Sequence, residues 1–107
     1  MAGDPELYLG LISGTSADGI DVALASFEPA PRLHASATCA YPEQLRQRIL
    51  ALAQGDGRIE LDELGALDVE IARAFASAAL RVLADHGVAA AEVRALGSHG
   101  KTIFANW

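Results

Sequence analysis

The chain has 107 residues, about half of them apolar, and a net charge of −6 from fourteen acidic and eight basic side chains. Seven of those eight are arginine, and they form no basic stripe or cluster, which argues against a nucleic-acid partner or an anionic membrane surface. The single cysteine, Cys39, excludes a disulfide framework within one chain. No apolar run reaches the roughly 20 residues that span a bilayer, and the acidic start lacks a signal pattern, so the expected compartment is the cytoplasm.

In chain order, Leu7 to Ile12 reads as a nearly all-apolar strand. Ile20 to Phe27 follows as a second, with Ile20, Val22 and Leu24 on one face and Ala23, Ala25 and Phe27 on the other. Both faces read as covered, as in a central strand with packing on each side. Pro29 and Pro31 impose a turn, and Leu33 to Tyr41 reads as a third strand, paired antiparallel because the connections are short. Pro42 is placed in the first turn of a helix carrying Leu45, Ile49 and Leu52 and broken by Gly55-Asp56-Gly57.

A longer helix is expected from about Leu61 to His86, with an apolar stripe through Leu64, Leu67, Ile71, Phe75, Ala78 and Val82 and Gly87 as its C-terminal cap. Its acidic residues, Glu60 to Glu70, read as a solvated face, and the alanine-rich Phe75 to Leu83 as packing surface. Cys39 reads as an inert buried thiol, and His34 and His86 as a strand residue and a helix-end residue. Val93 to Leu96 reads as a short strand that joins the same sheet and leads into a glycine-bracketed loop.

Two segments carry chemistry. Gly14-Thr15-Ser16-Ala17-Asp18-Gly19 joins two apolar strands. Its glycines permit close backbone approach to a ligand, Thr15 and Ser16 offer hydroxyls, and successive N–H groups can cradle an anion. Asp18 and Asp21 are oxygen donors of the kind that hold Mg²⁺, directly or through water. The same residue types build an ordinary hairpin turn, and Asp-Gly is a favoured turn pair. No lysine follows as in a Walker A loop, and the acidic spacing is not that of an EF-hand. The second segment, Gly97-Ser98-His99-Gly100, places an imidazole between two glycines, where it can face a cleft or merely decorate a turn.

The stretch Leu9 to Leu24, through Ser13-Gly14-Thr15-Ser16-Ala17-Asp18-Gly19-Ile20-Asp21, closely resembles the N-terminal signature of the anhydro-N-acetylmuramic acid kinases. Leu96-Gly97-Ser98-His99-Gly100-Lys101-Thr102 resembles that family's second motif. The resemblance covers essentially the whole chain and about the first third of a typical member. It implies an α/β fold of the ribonuclease H-like (actin-like ATPase) kind, shared with sugar kinases, actin and the 70-kDa heat-shock proteins. The chain would be the N-terminal subdomain: an antiparallel three-strand start, two helices and a further strand, an incomplete first domain over residues 1–107.

By the same resemblance, Gly14, Thr15, Ser16, Ala17, Asp18, Gly19, Ile20 and Asp21 would bind the phosphates of ATP, with Asp18 and Asp21 toward Mg²⁺. Ser98, His99, Gly100 and Thr102 would lie on the amino-sugar side. The implied activity is ATP-dependent conversion of 1,6-anhydro-N-acetylmuramic acid to N-acetylmuramic acid 6-phosphate during cell-wall recycling. The catalytic aspartate of the family lies downstream of its second motif, so none is expected here, and the isolated chain is expected to be inactive. Family members resemble dimers, so a homodimer is an allowed assembly, and exposed apolar surface predicts self-association.

Two departures stand out. Lys101 occupies a position where the family usually has glutamine, and Phe104-Ala105-Asn106-Trp107 replaces a continuation that commonly carries histidine or arginine. The alternatives from other classes are a non-catalytic nucleotide-binding or scaffolding module of the same fold, and a structural domain whose turn binds nothing.

Overall fold

A computed structural model describes residues 6–14, 19–55 and 58–101. The strands are β1 (Leu7–Ser13), β2 (Ile20–Ser26), β3 (Arg32–Cys39) and β4 (Val93–Lys101); the helices are α1 (Glu43–Gln54) and α2 (Leu61–Asp85). They form one mixed sheet in the order β3-β2-β1-β4. β1 pairs antiparallel with β2, β2 antiparallel with β3, and β4 parallel with β1. The expected α/β architecture, three antiparallel strands, two helices and a strand rejoining the sheet, is the one observed.

Alternation along the strands decides which face is dry. Leu9, Leu11 and Ser13 of β1 and Ile20, Val22, Leu24 and Ser26 of β2 are buried, and this face packs against α2. From α2 come Leu67, Phe75, Ala78, Ala79, Val82 and Leu83; α1 adds Leu45 and Ile49. The predicted α2 stripe is thus largely correct, although Leu64 stays 42% exposed. Cys39 is buried as expected.

The other face departs from expectation. Ala23 and Ala25 are only partly buried and Phe27 is 53% exposed, so β2 is covered on one face rather than both. Small apolar residues at alternate positions satisfy a buried pattern without needing a covering layer, which is why the alternation misleads here. Phe27 instead leans on Tyr8 of β1, ring centroids 5.4 Å apart.

Element ends follow local chemistry. Pro42 is the N-cap of α1, with extended ψ of 137°, rather than a residue of its first turn. Gly55 is the C-cap of α1; Asp56 and Gly57 lie outside the described residues. At the end of α2, His86 is the C-cap and Gly87 takes φ +67°, the left-handed conformation that glycine adopts at no steric cost. The His86 ring lies 2.9 Å (Nδ1) from the carbonyl oxygen of Val82. Arg48 of α1 pairs with Glu70 of α2, a half-exposed bridge that orients the helices more than it stabilises them.

Among the described residues, one buried side-chain polar group lacks a partner: the Tyr41 hydroxyl makes no hydrogen bond there, although the residue is 5% exposed. Burial pushes its pKa up; the nearby Ser13 hydroxyl opposes this, without the two meeting in hydrogen-bonding geometry. Tyr41→Phe is therefore expected to raise the unfolding free energy by about 1 kcal/mol, read from urea melts. Because the folded phenol titrates above its ordinary 10.0, the unfolded chain loses that proton first. Wild type should therefore lose stability as pH rises through that range, and Tyr41→Phe should lose less.

Candidate functional site

Parallel pairing brings the two glycine motifs together. β1 and β4 run side by side with Gly10 opposite Gly97, Leu11 opposite Ser98, Ile12 opposite Gly100 and Ser13 opposite Lys101. The first motif leaves the C-terminal end of β1 and the second occupies the C-terminal end of β4. In open α/β sheets, ligands bind outside the carboxyl ends of parallel strands.

The second motif is strand, not loop. β4 continues through Lys101 instead of ending near Leu96, because β1 supplies a ladder that glycine-rich sequence alone does not suggest. The register slips between Leu11 and Ile12, so Ser98 and Gly100 face successive β1 residues and His99 is the additional residue of a bulge. Gly100 has φ +83°, which favours glycine there. Bulges of this kind re-aim side chains beside functional sites.

The expected phosphate segment divides by structure. Gly14 is exposed at the end of β1, and its carbonyl oxygen accepts a hydrogen bond from Lys101 Nζ. Thr15, Ser16, Ala17 and Asp18 lie outside the described residues. Gly19 is buried and hemmed in: a Cβ there would sit 2.8 Å from Thr38 Cγ2 and 2.9 Å from the Cys39 carbonyl oxygen. The Gly19 carbonyl oxygen accepts from the buried Ser13 hydroxyl at 2.8 Å, closing the two ends of the turn on each other.

Ile20 is 1% exposed, so its side chain belongs to the core. Asp21 points to the open face, where Thr38 Oγ1 donates to its Oδ1 at 2.6 Å. That bond links β2 to β3 and aims the carboxylate.

On this open face a shallow hollow is lined by Gly10, Ile12, Asp21, Thr38, Gly97 and His99. The adjacent glycines Gly10 and Gly97 keep its floor low. Ser98 and Gly100 line a different depression, an apolar groove of about 400 Å³ between β4 and α2 that also holds Lys101, Leu64 and Phe75. The structure therefore brings His99 to the Asp21 face and turns Ser98 to the helix side; Thr102 lies outside the described residues. Lys101 is partly desolvated in its groove, which pulls its pKa below the usual lysine value.

Among the described residues no group of three histidine, cysteine, aspartate or glutamate side chains is placed to hold a metal, and no helix is long and apolar enough to cross a membrane. An exposed Asp21 carboxylate, oriented through one oxygen, is a hard donor of the type Mg²⁺ takes, and hydroxyls nearby in sequence are compatible with it.

A mixed β3-β2-β1-β4 sheet, with a glycine turn leaving β1 and the helices on one face, is the N-terminal subdomain arrangement of the actin-like ATPases. The model of one family, anhydro-N-acetylmuramic acid kinase, matches residues 6–107, and the chain belongs to that family. A relative from Xanthomonas campestris pv. campestris (strain 8004) is 50% identical over 101 residues, covering 91% of this chain and 27% of the relative. One from Saccharophagus degradans is 45% identical over 100 residues, and one from Vibrio vulnificus 40% over 100; each covers 92% of this chain and 27% of the relative. All three are named anhydro-N-acetylmuramic acid kinase. The chain thus spans about a quarter of the length of the curated relatives it matches.

Proposed function

We propose that residues 1–107 form the phosphate-binding part of the ATP site in a kinase acting on 1,6-anhydro-N-acetylmuramic acid, the N-terminal part of its first actin-like domain. The observation that supports this reading is the parallel β1–β4 pairing, which sets Ser13 and Gly14, where the first motif begins, beside the Gly97–Lys101 stretch of the second.

On this reading, backbone N–H groups of Gly14 to Gly19 receive the phosphates, and the hydroxyls of Thr15 and Ser16 supplement them. Asp18 and Asp21 would hold Mg²⁺, directly or through water, and the ion when bound neutralises charge on the phosphates. His99 and Gly100 would serve the sugar side. Ser98 and Thr102 share that assignment, Ser98 as a residue of the groove beside α2, on the opposite face of β4 from His99. In the reaction, a carboxylate base outside these residues takes a proton from water as its oxygen bonds to the anomeric carbon. The bond from that carbon to the bridging 6-oxygen breaks, and this oxygen takes the γ-phosphoryl group as ADP leaves. The part played by this chain is positioning and charge neutralisation rather than proton transfer.

Calorimetric titration of Mg·ATP into the full-length protein tests the assignment. Gly14→Val and Asp18→Ala are each expected to weaken binding by about tenfold or more, the scale of losing charge-assisted contacts. Unchanged affinity in both removes the turn from the site. ATP binding by wild type with no sugar phosphorylation would favour the non-catalytic module. Phosphorylation by the isolated 107 residues would show that the base lies within them.

A further inference from the structure

The only lysine of the chain links the two glycine motifs through its side chain. Lys101 ends β4 directly opposite Ser13, and its Nζ donates to the carbonyl oxygen of Gly14, across a sequence separation of 87 residues. This contact depends on a break in strand alternation. Leu96 and Ser98 line the helix-side groove while Gly97 and His99 line the open face, so regular alternation would send Lys101 to the open face. Instead, after the bulge at His99 and the positive φ of Gly100, Lys101 lines the helix-side groove together with its neighbour Gly100. The bulge thus sets the direction of the lysine as well as that of the histidine.

The chemistry of the contact is directional. A carbonyl oxygen left bare at the entrance to an anion-binding turn would repel the anion. An ammonium bonded to it removes that repulsion and leaves positive charge beside the turn. The partial burial of Lys101 agrees with this arrangement, since a lysine that gives up water needs an acceptor in exchange.

We propose that Lys101 is a positioning residue of the phosphate turn: it holds the Gly14 carbonyl, fixes the entry of the Gly14–Asp21 segment, and couples that segment mechanically to the Ser98–Gly100 strand. The proposal rests on the reading of that turn as the ATP-phosphate site. Its specific consequence is that nucleotide binding in this protein depends on a residue carried by the second motif.

The test uses the full-length protein with Lys101→Met, Lys101→Ala and Lys101→Arg, and Gly14→Val as the control for the turn itself. Amide exchange of the Ser13–Asp21 segment is followed without nucleotide, and KM values for Mg·ATP and for sugar are measured separately. Lys101→Met is expected to speed exchange in the segment and raise the KM for Mg·ATP, each by about tenfold, the scale of one charge-assisted hydrogen bond. The KM for sugar should change by less than about twofold, and Lys101→Arg should restore most of the loss, since its guanidinium can still donate.

Faster exchange with an unchanged nucleotide KM would reduce Lys101 to a structural clamp and overturn the proposal. Equal rises in both KM values would do the same. If Gly14→Val abolishes ATP affinity while Lys101→Met does not, the role of Lys101 falls alone. If neither variant matters, the phosphate reading falls with it. Should Lys101→Met fail to fold, Lys101→Ala carries the same comparison.

Discussion

Gly19→Val is expected to lower the unfolding free energy of the full-length protein by about 3 kcal/mol, and Gly19→Ala by about 2 kcal/mol, the upper part of the range for over-packing. The reason is steric. A Cβ at this position meets both the Thr38 methyl and the Cys39 backbone at under 3 Å, and backbone cannot step aside as a flexible side chain can. The two obstacles can be separated. In a Gly19→Ala background, Thr38→Ser removes the methyl but keeps the hydroxyl that bonds Asp21, so part of the stability should return. The clash with the Cys39 carbonyl should persist, leaving the rescue incomplete. Urea midpoints at constant m-value provide the measurement. Full tolerance of Gly19→Ala would mean that β3 does not lie against the turn.

Ile20→Ala and Asp21→Ala, at neighbouring positions, should fail in opposite ways. Ile20 is 1% exposed in the middle of the core, so its truncation is expected to cost about 3 kcal/mol of stability through lost burial and a residual cavity. Asp21 faces the open side and bonds Thr38, so its loss should change stability by less than about 1 kcal/mol. Its effect should appear instead in Mg·ATP affinity and turnover. Thermal unfolding and calorimetric titration of the two variants side by side would separate the roles. A stable Ile20→Ala or a nucleotide-indifferent Asp21→Ala would refute the respective assignment.

Much of this division was readable along the chain. The alternation Ile20, Val22, Leu24 marked the buried face because a strand repeats every second residue. The spacing of Leu67, Phe75, Ala78 and Val82 marked the inward side of α2, and Gly87 marked its end. What escaped the sequence belongs to tertiary structure. The crowding of Gly19 comes from β3, about twenty residues later, and nothing local announces it. Gly97 to Gly100 read as a loop because glycines punctuate; pairing with β1 made it strand. Ala23 and Ala25 suggested a second covered face, but alanine is indifferent to half-burial. Lys101 stood out as an unusual residue in its motif, yet its link to Gly14 required knowing that Ser13 and Lys101 stand side by side.

The pairing of β1 with β4 has a consequence for how the molecule acquires its site. Ser13 and Lys101 meet only after everything between them, both other strands and both helices, has been ordered or looped out. Contacts of such sequence separation carry the largest closure entropy and set the pace of folding. If the proposed site needs both motifs, neither can prepare it alone, and a partly folded chain with only the β1–β3 meander would have half of it. Nucleotide retention during refolding should therefore appear with the last kinetic phase rather than the first, making ligand affinity a gauge of completed topology. The same coupling works in reverse: a ligand that grips both motifs stabilises the most distant pairing in the sheet, and through it the whole fold.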